Sequence, residues 1–254
     1  MRFSSIALGA LAATGAMASS RSHARLHRER EARSEPIDHV LTPGSEVDKR
    51  NILIDALDEA KLLTLGLIAI GKNALSSAED QVWIGADGDY TNEYVNEGED
   101  DVVLVVWGPA ASWVNTNEPL ITLTLPAGTN KTLSFASGAS GAWAAVYNDT
   151  ELVNGQISET WGEYTFGEWG CVDVSREVNM AGHNMTIDTG NCVSDMETCV
   201  FKCKDGAESC WLEYELVNCE NGSQEGATYG TFDGAPTGGC GNMGSTAHVK
   251  TYLH

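Results

Sequence analysis

All seven cysteines of this 254-residue chain lie beyond residue 170, at Cys171, Cys192, Cys199, Cys203, Cys210, Cys219 and Cys240. The last third can therefore be cross-linked, and the rest must hold together by packing alone. Whether the thiols pair depends on the compartment, and the N-terminus speaks to that. Met1-Arg2 opens the chain, a small and apolar run spans Ile6 to Met17, and Ala16-Met17-Ala18 has the A-x-A form of a cleavage site. This is the layout of a secretory signal peptide over residues 1–18, too short and too rich in Ala and Gly for a membrane span. A secreted chain oxidises its cysteines, so six of the seven are expected in disulfides. The spacing leaves on the order of a hundred connectivities open. Cys199 and Cys203 could be half of a zinc site, but oxidation outside the cell argues for disulfides, and no metal is expected.

Residues 19–50 read as a basic, disordered pro-segment. Arg21, Arg25, Arg28, Arg30 and Arg33 crowd a stretch with few apolar residues, which cannot bury enough surface to offset its chain entropy. It closes on Lys49-Arg50, a dibasic pair suited to a processing protease. Of the 15 basic and 36 acidic residues, 8 and 6 lie in the first 50, which leaves 7 basic and 30 acidic beyond. Such a surface repels nucleic acid and anionic lipid. The sequons at Asn130, Asn148, Asn184 and Asn221 mark expected surface positions for glycosylation.

Residues 51–100 read as a helix followed by an acidic linker. Leu53, Ala56, Leu57, Ala60, Leu63, Leu67 and Ile68 recur at helical spacing, which predicts an amphipathic helix over 52–70 with Gly71 as its cap. Asp87-Gly88-Asp89 with Glu93 hints at calcium but lacks the full loop pattern. From residue 101 onward the chain reads as one β-rich domain. Strands are expected at 102–107, 120–125, 131–135, 142–147, 161–166, 171–175, 211–217 and 247–253, separated by Gly, Asn and Ser. Many short strands at this spacing mean a β-sandwich or barrel. No membrane span, nucleotide loop or internal repeat is visible in the sequence.

Two groups of residues carry a resemblance. Ser137 to Ala145, Trp161-Gly162-Glu163-Tyr164-Thr165-Phe166, and Trp169 with Asp173-Val174-Ser175 resemble the fungal secreted allergens of the Asp f four-like family. Val105-Val106-Trp107 and Leu123 to Gly128 fit the same pattern, so the likeness covers roughly residues 100–203. It implies a secreted, antigenic protein without an established chemistry. A weaker likeness to thaumatin-like proteins implies a disulfide-bonded β-sandwich whose acidic cleft can bind β-1,3-glucan. Glu163 and Asp173 match that pattern, whereas Ala142 stands where the cleft arginine would be.

Glu163 and Asp173 fall on neighbouring expected strands and could form a glycosidase pair. Equally, Asp173 could be a turn acceptor and Glu163 a solvated strand residue. Exposed tryptophan rings stack on sugars, and Trp113 and Trp169, in Gly/Ser/Asn-rich surroundings, are the candidates for a surface platform. Trp107 and Trp143 read as core. Ser175 with His183 lacks a nucleophile elbow, His248 is isolated, and Cys171 is expected in a disulfide rather than as a nucleophile. The reading is a secreted protein of the extracellular space or cell wall, non-catalytic and without a cofactor, whose partners are wall β-glucan, or a host protein or antibody. A weak endo-β-1,3-glucanase and an effector that binds a host protein are the alternatives.

Overall fold

The computed structural model describes residues 53–254 apart from Ala110 and Trp211. The expected leader, the basic segment and the Lys49-Arg50 pair lie outside the described residues. Within them, α1 (Ala56–Leu65) precedes seventeen strands. These are β1 (Val82–Ile84), β2 (Tyr90–Asn96), β3 (Val102–Trp107), β4 (Ile121–Leu125), β5 (Asn130–Phe135), β6 (Ser140–Val146), β7 (Leu152–Val153), β8 (Gln156–Ile157), β9 (Trp161–Thr165), β10 (Cys171–Ser175), β11 (Met185–Asp188), β12 (Val193–Ser194), β13 (Val200–Cys203), β14 (Tyr214–Val217), β15 (Ala227–Phe232), β16 (Ala235–Gly241) and β17 (Ala247–Leu253). One sheet runs β1-β5-β2-β17-β11-β12. The other runs β14-β13-β10-β9-β6-β3-β4 and gains β16 and β15 beside β10. A separate small hairpin joins β7 to β8. β17 lies parallel to β2, from Ala247 opposite Tyr90 to Leu253 opposite Asn96.

The chain is mainly β, and the reason shows in β3. Its sequence, VVLVVW, does not alternate because the strand is buried on both faces. Val102, Leu104 and Val106 enter the core between the sheets with Phe135, Trp143 and Tyr164. Val103, Val105 and Trp107 enter a second core on the other face, with Leu62, Leu67 and Trp161. The second sheet is thus the middle layer, and α1 with the segments near Leu67 and Val114 covers its outer side.

Three expectations are corrected. The helix is shorter than 52–70 and ends at Gly66, not Gly71. Gly66 takes φ +115°, so its N–H and that of Leu67 reach back to Leu62 O at 3.1 Å and close the last turn. Asp55 is the N-cap and accepts from Leu57 N and Asp58 N. The buried stripe is also not the one the spacing suggested. Leu62 is fully buried while Leu57 is 83 % exposed, because Asp58 on the docked side accepts a 2.6 Å bond from Thr124 Oγ1 and sets the roll of the helix. Finally, the stretch read as an acidic linker contains β1 and β2, both paired with β5.

Cys192–Cys240, Cys199–Cys219 and Cys203–Cys210 are bonded, and Cys171 stays a buried thiol. Six of seven cysteines pair, as expected, but Cys171 is the odd one rather than a disulfide partner. Cys199 and Cys203 belong to different bridges, which removes the half zinc site.

Candidate functional site

β9 and β10 form a hairpin, and its register decides what the two acidic candidates do. Asp173 lies directly opposite Glu163, Ser175 opposite Trp161, and Cys171 opposite Thr165. Ala142 of β6 flanks Glu163 on the other side. Tyr164 and Val172 point into the core between the sheets, so Glu163 and Asp173 share the opposite face. Directly opposed residues hold their Cβ atoms about 4.5–5.5 Å apart. The sequence motif serves this geometry. A Cβ on Gly162 would sit 2.1 Å from Trp143 Cε2, so only glycine lets the buried indole lie flat across β9.

The pair is not at the surface. Glu163 and Asp173 are each 2 % exposed, and Glu177, also buried, acts on Asp173 as a third carboxylate. Gly239 of β16, the strand beside β10, comes so close that a Cβ would stand 3.0 Å from Asp173 Cβ. Burial first, then the charges of Glu163 and Glu177, push the Asp173 carboxyl well above the usual carboxylate range. Two adjacent buried carboxylates disfavour each other's ionised form, so charge on Asp173 is costly in this setting. The expectation that Glu163 and Asp173 meet glucan in an acidic cleft, or act on it as a glycosidase pair, is therefore corrected: a polysaccharide cannot reach either carboxyl group as folded. The alternative of a solvated Glu163 is corrected by the same burial, and that of a turn acceptor at Asp173 by its place in the middle of β10.

The other candidates separate. Trp169, in the turn of the same hairpin, is 47 % exposed and fits a surface platform. Trp113 is buried and does not. Its carbonyl accepts from Thr116 N and Asn117 N, so its polar neighbours form a turn while the ring goes inward. The calcium residues disperse: Asp87 accepts from Trp83 Nε1 at 2.8 Å, and Glu93 pairs with Lys250 at 3.1 Å. His248 Nδ1 lies 2.8 Å from Thr91 Oγ1. Asn130, Asn148, Asn184 and Asn221 are all exposed, where a glycan can attach.

Sequence reasoning missed the surroundings of His183. Its Nδ1 lies 3.1 Å from Glu159 Oε2, its Nε2 lies 3.6 Å from Asp149 Oδ1, and Tyr147 stacks on the imidazole at 3.8 Å. Glu159 is buried and also accepts from Thr150 Oγ1 at 2.7 Å and His183 N at 3.0 Å. Burial, helped by Glu159 and Asp149, raises the Tyr147 phenol and keeps it neutral. Asp149, Glu159 and His183 line an open pocket of about 150 Å³ with Glu151, Ser158 and Asn179. Three loops of different strand pairs build it, and no local spacing announces it.

A disulfide-linked, two-sheet β protein with a buried acid pair at its middle hairpin is the class the geometry defines. Residues 84–215 match the family described as Allergen Asp f 4-like domain, and the chain belongs to that family. No curated protein matches the chain. Among solved structures it is similar to the protein elicitor MoHrip2 from Magnaporthe oryzae, at 16 % identity and a TM-score of 0.34, over 65 % of this chain and 98 % of that one.

Proposed function

We propose that the protein is a secreted, non-catalytic constituent of the fungal extracellular space or cell wall that meets β-1,3-glucan at its surface. The observation that carries the non-catalytic reading is the burial of Glu163 and Asp173. A glycosidase needs one carboxyl group to protonate the leaving oxygen and the other to face the sugar ring, and both must touch substrate. Here both are buried in the interior of the sheet, opposite each other on β9 and β10, with no open face toward a ligand. Secretion is supported by the leader pattern, by three disulfides and by four exposed sequon asparagines. The two-sheet sandwich and the Glu163–Asp173 pairing also support a thaumatin-like arrangement, with the acid pair sealed rather than open.

Glucan contact in this reading runs through the exposed ring of Trp169, which can stack on a pyranose face. The test is a pull-down of the secreted protein on insoluble β-1,3-glucan, with chitin and cellulose alongside and Trp169→Ala as the variant. Depletion on glucan that weakens at least tenfold in W169A supports the proposal. No depletion on any of the three polymers overturns the glucan contact and favours a host protein as the partner.

A further inference from the structure

The geometry points to a divalent transition-metal site, of the zinc or copper type, at His183 and Asp149, with Glu159 orienting the imidazole. The argument begins with protons. Glu159 is buried, and its carboxylate oxygens accept from Thr150 Oγ1 and the backbone N–H of His183. A carboxylate only accepts, so the ring nitrogen 3.1 Å away, Nδ1, is the one that carries hydrogen in the neutral imidazole. Nε2 then presents its lone pair to the Asp149 carboxylate 3.6 Å away. Two electron-pair donors face each other across a gap that a cation completes. In a tetrahedral zinc site the nitrogen and oxygen donors stand about 3.4 Å apart, given metal–ligand bonds near 2.0–2.2 Å.

The surroundings match what a metal-binding histidine needs. Its second ring nitrogen commonly donates to a carboxylate, which fixes the tautomer and raises ligand basicity, and Glu159 does this here. The Tyr147 ring, stacked at an interplanar angle of 12°, holds the imidazole plane. Asp149 is 75 % exposed and stands on the solvent side, so an ion can enter without opening the fold. Glu151 lines the same pocket and adds a third acidic group beside the ion. One oxygen or nitrogen each from Asp149, Glu159 and His183 lie within 4.8 Å of one another. An imidazole donor favours zinc, copper or nickel over calcium and magnesium, which prefer all-oxygen shells.

The experiment is calorimetric titration of the full, secreted chain with Zn²⁺ at a pH above 7, where a free imidazole is neutral. Asp149→Asn and His183→Ala are titrated in parallel. Both positions are partly or well exposed, so the fold tolerates the changes, and Asp149→Asn keeps the side-chain volume. One zinc ion per chain is expected, with affinity at least tenfold lower in either variant. Glu159→Gln is expected to lose roughly 10–100-fold. Loss of the His183 imidazole ¹⁵N signal pattern on zinc addition identifies the ring directly. No saturable binding overturns the inference and leaves His183 as an ion-pair partner. Equal affinity in the wild type and in both variants also overturns it and places the ion elsewhere, for instance at His254 and Glu97, which lie 3.4 Å apart.

Discussion

Asp173 shows what burial does to an ionisable group whose nearest neighbour carries the same charge. Its folded pKa is raised by burial and by Glu163 and Glu177. An unfolded Asp releases its proton near pH 4. Above that pH the folded state binds more protons than the unfolded one, so stability falls as pH rises toward the folded pKa and is greatest below about 4. The slope from this one group approaches about 1.4 kcal/mol per pH unit. Asp173→Asn is expected to flatten that slope and to unfold at the same or higher urea concentration near neutral pH. Urea midpoints measured at several pH values decide it, and an Asn variant that keeps the wild-type slope contradicts the assignment. The sequence displayed both carboxylates and their ten-residue separation. It could not display their burial, which is set by strands and loops that tertiary packing brings around β9 and β10 from distant parts of the chain. Trp113 and Trp169 sit in similar polar surroundings, yet the first ring is buried and the second exposed, a difference that tertiary packing sets and local composition does not carry.

Elements were legible where burial writes a pattern and obscure where backbone pairing does. β3, β10 and β17 occupy the residues their apolar content announced. β16, with sequence APTGGCG, did not look like a strand, since glycines ordinarily mark turns. Gly238 and Gly239 are there because β10 and β15 pass too close for a side chain: a Cβ would meet Thr228 O at 2.0 Å and Val172 O at 2.7 Å, respectively. β1 and β2 were hidden by the acidic and polar residues around them: β2 lies inside its sheet between β5 and β17 but buries Asn92 and Asn96, whose amides find partners at Thr251 Oγ1 and Leu125 O. Two contrasts test the element assignments by thermal or urea unfolding. Leu62→Ala is expected to cost about 2–5 kcal/mol, and Leu57→Ala to stay within about 0.5 kcal/mol. Equal effects from the two would contradict the docked face of α1. Gly162→Ala forces a methyl group into the Trp143 indole and is expected to cost about 1–3 kcal/mol or more. A neutral result would place the indole elsewhere.

Across the whole molecule, packing and cross-links divide the labour along the chain. The cysteine-free part builds the outer core of the middle sheet, the core between the sheets is shared with the cysteine-rich part, and the bridges fasten the later strands. Cys192–Cys240 ties the residue before β12, in one sheet, to β16 in the other. It closes 48 residues of sequence, for which loop entropy gives about 4 kcal/mol. Replacing both cysteines by Ala is expected to lower stability by that order, measured by urea unfolding. A change below about 1 kcal/mol would mean that the sheets hold without the bridge. Connectivity was not legible because spacing alone cannot say which strands meet. The number of bridges was, because a leader-like N-terminus reads as secretion and secreted thiols are expected to pair. No helix among the described residues is long and apolar enough to cross a membrane. The central claim, that the buried acid pair performs no hydrolysis, is tested most directly by assaying reducing ends released from soluble β-1,3-glucan. The secreted protein and its Glu163→Gln variant would be compared over a range of pH. The account predicts no release above background from either protein. Release by the wild type that disappears in E163Q would contradict it and make Glu163 a catalytic residue.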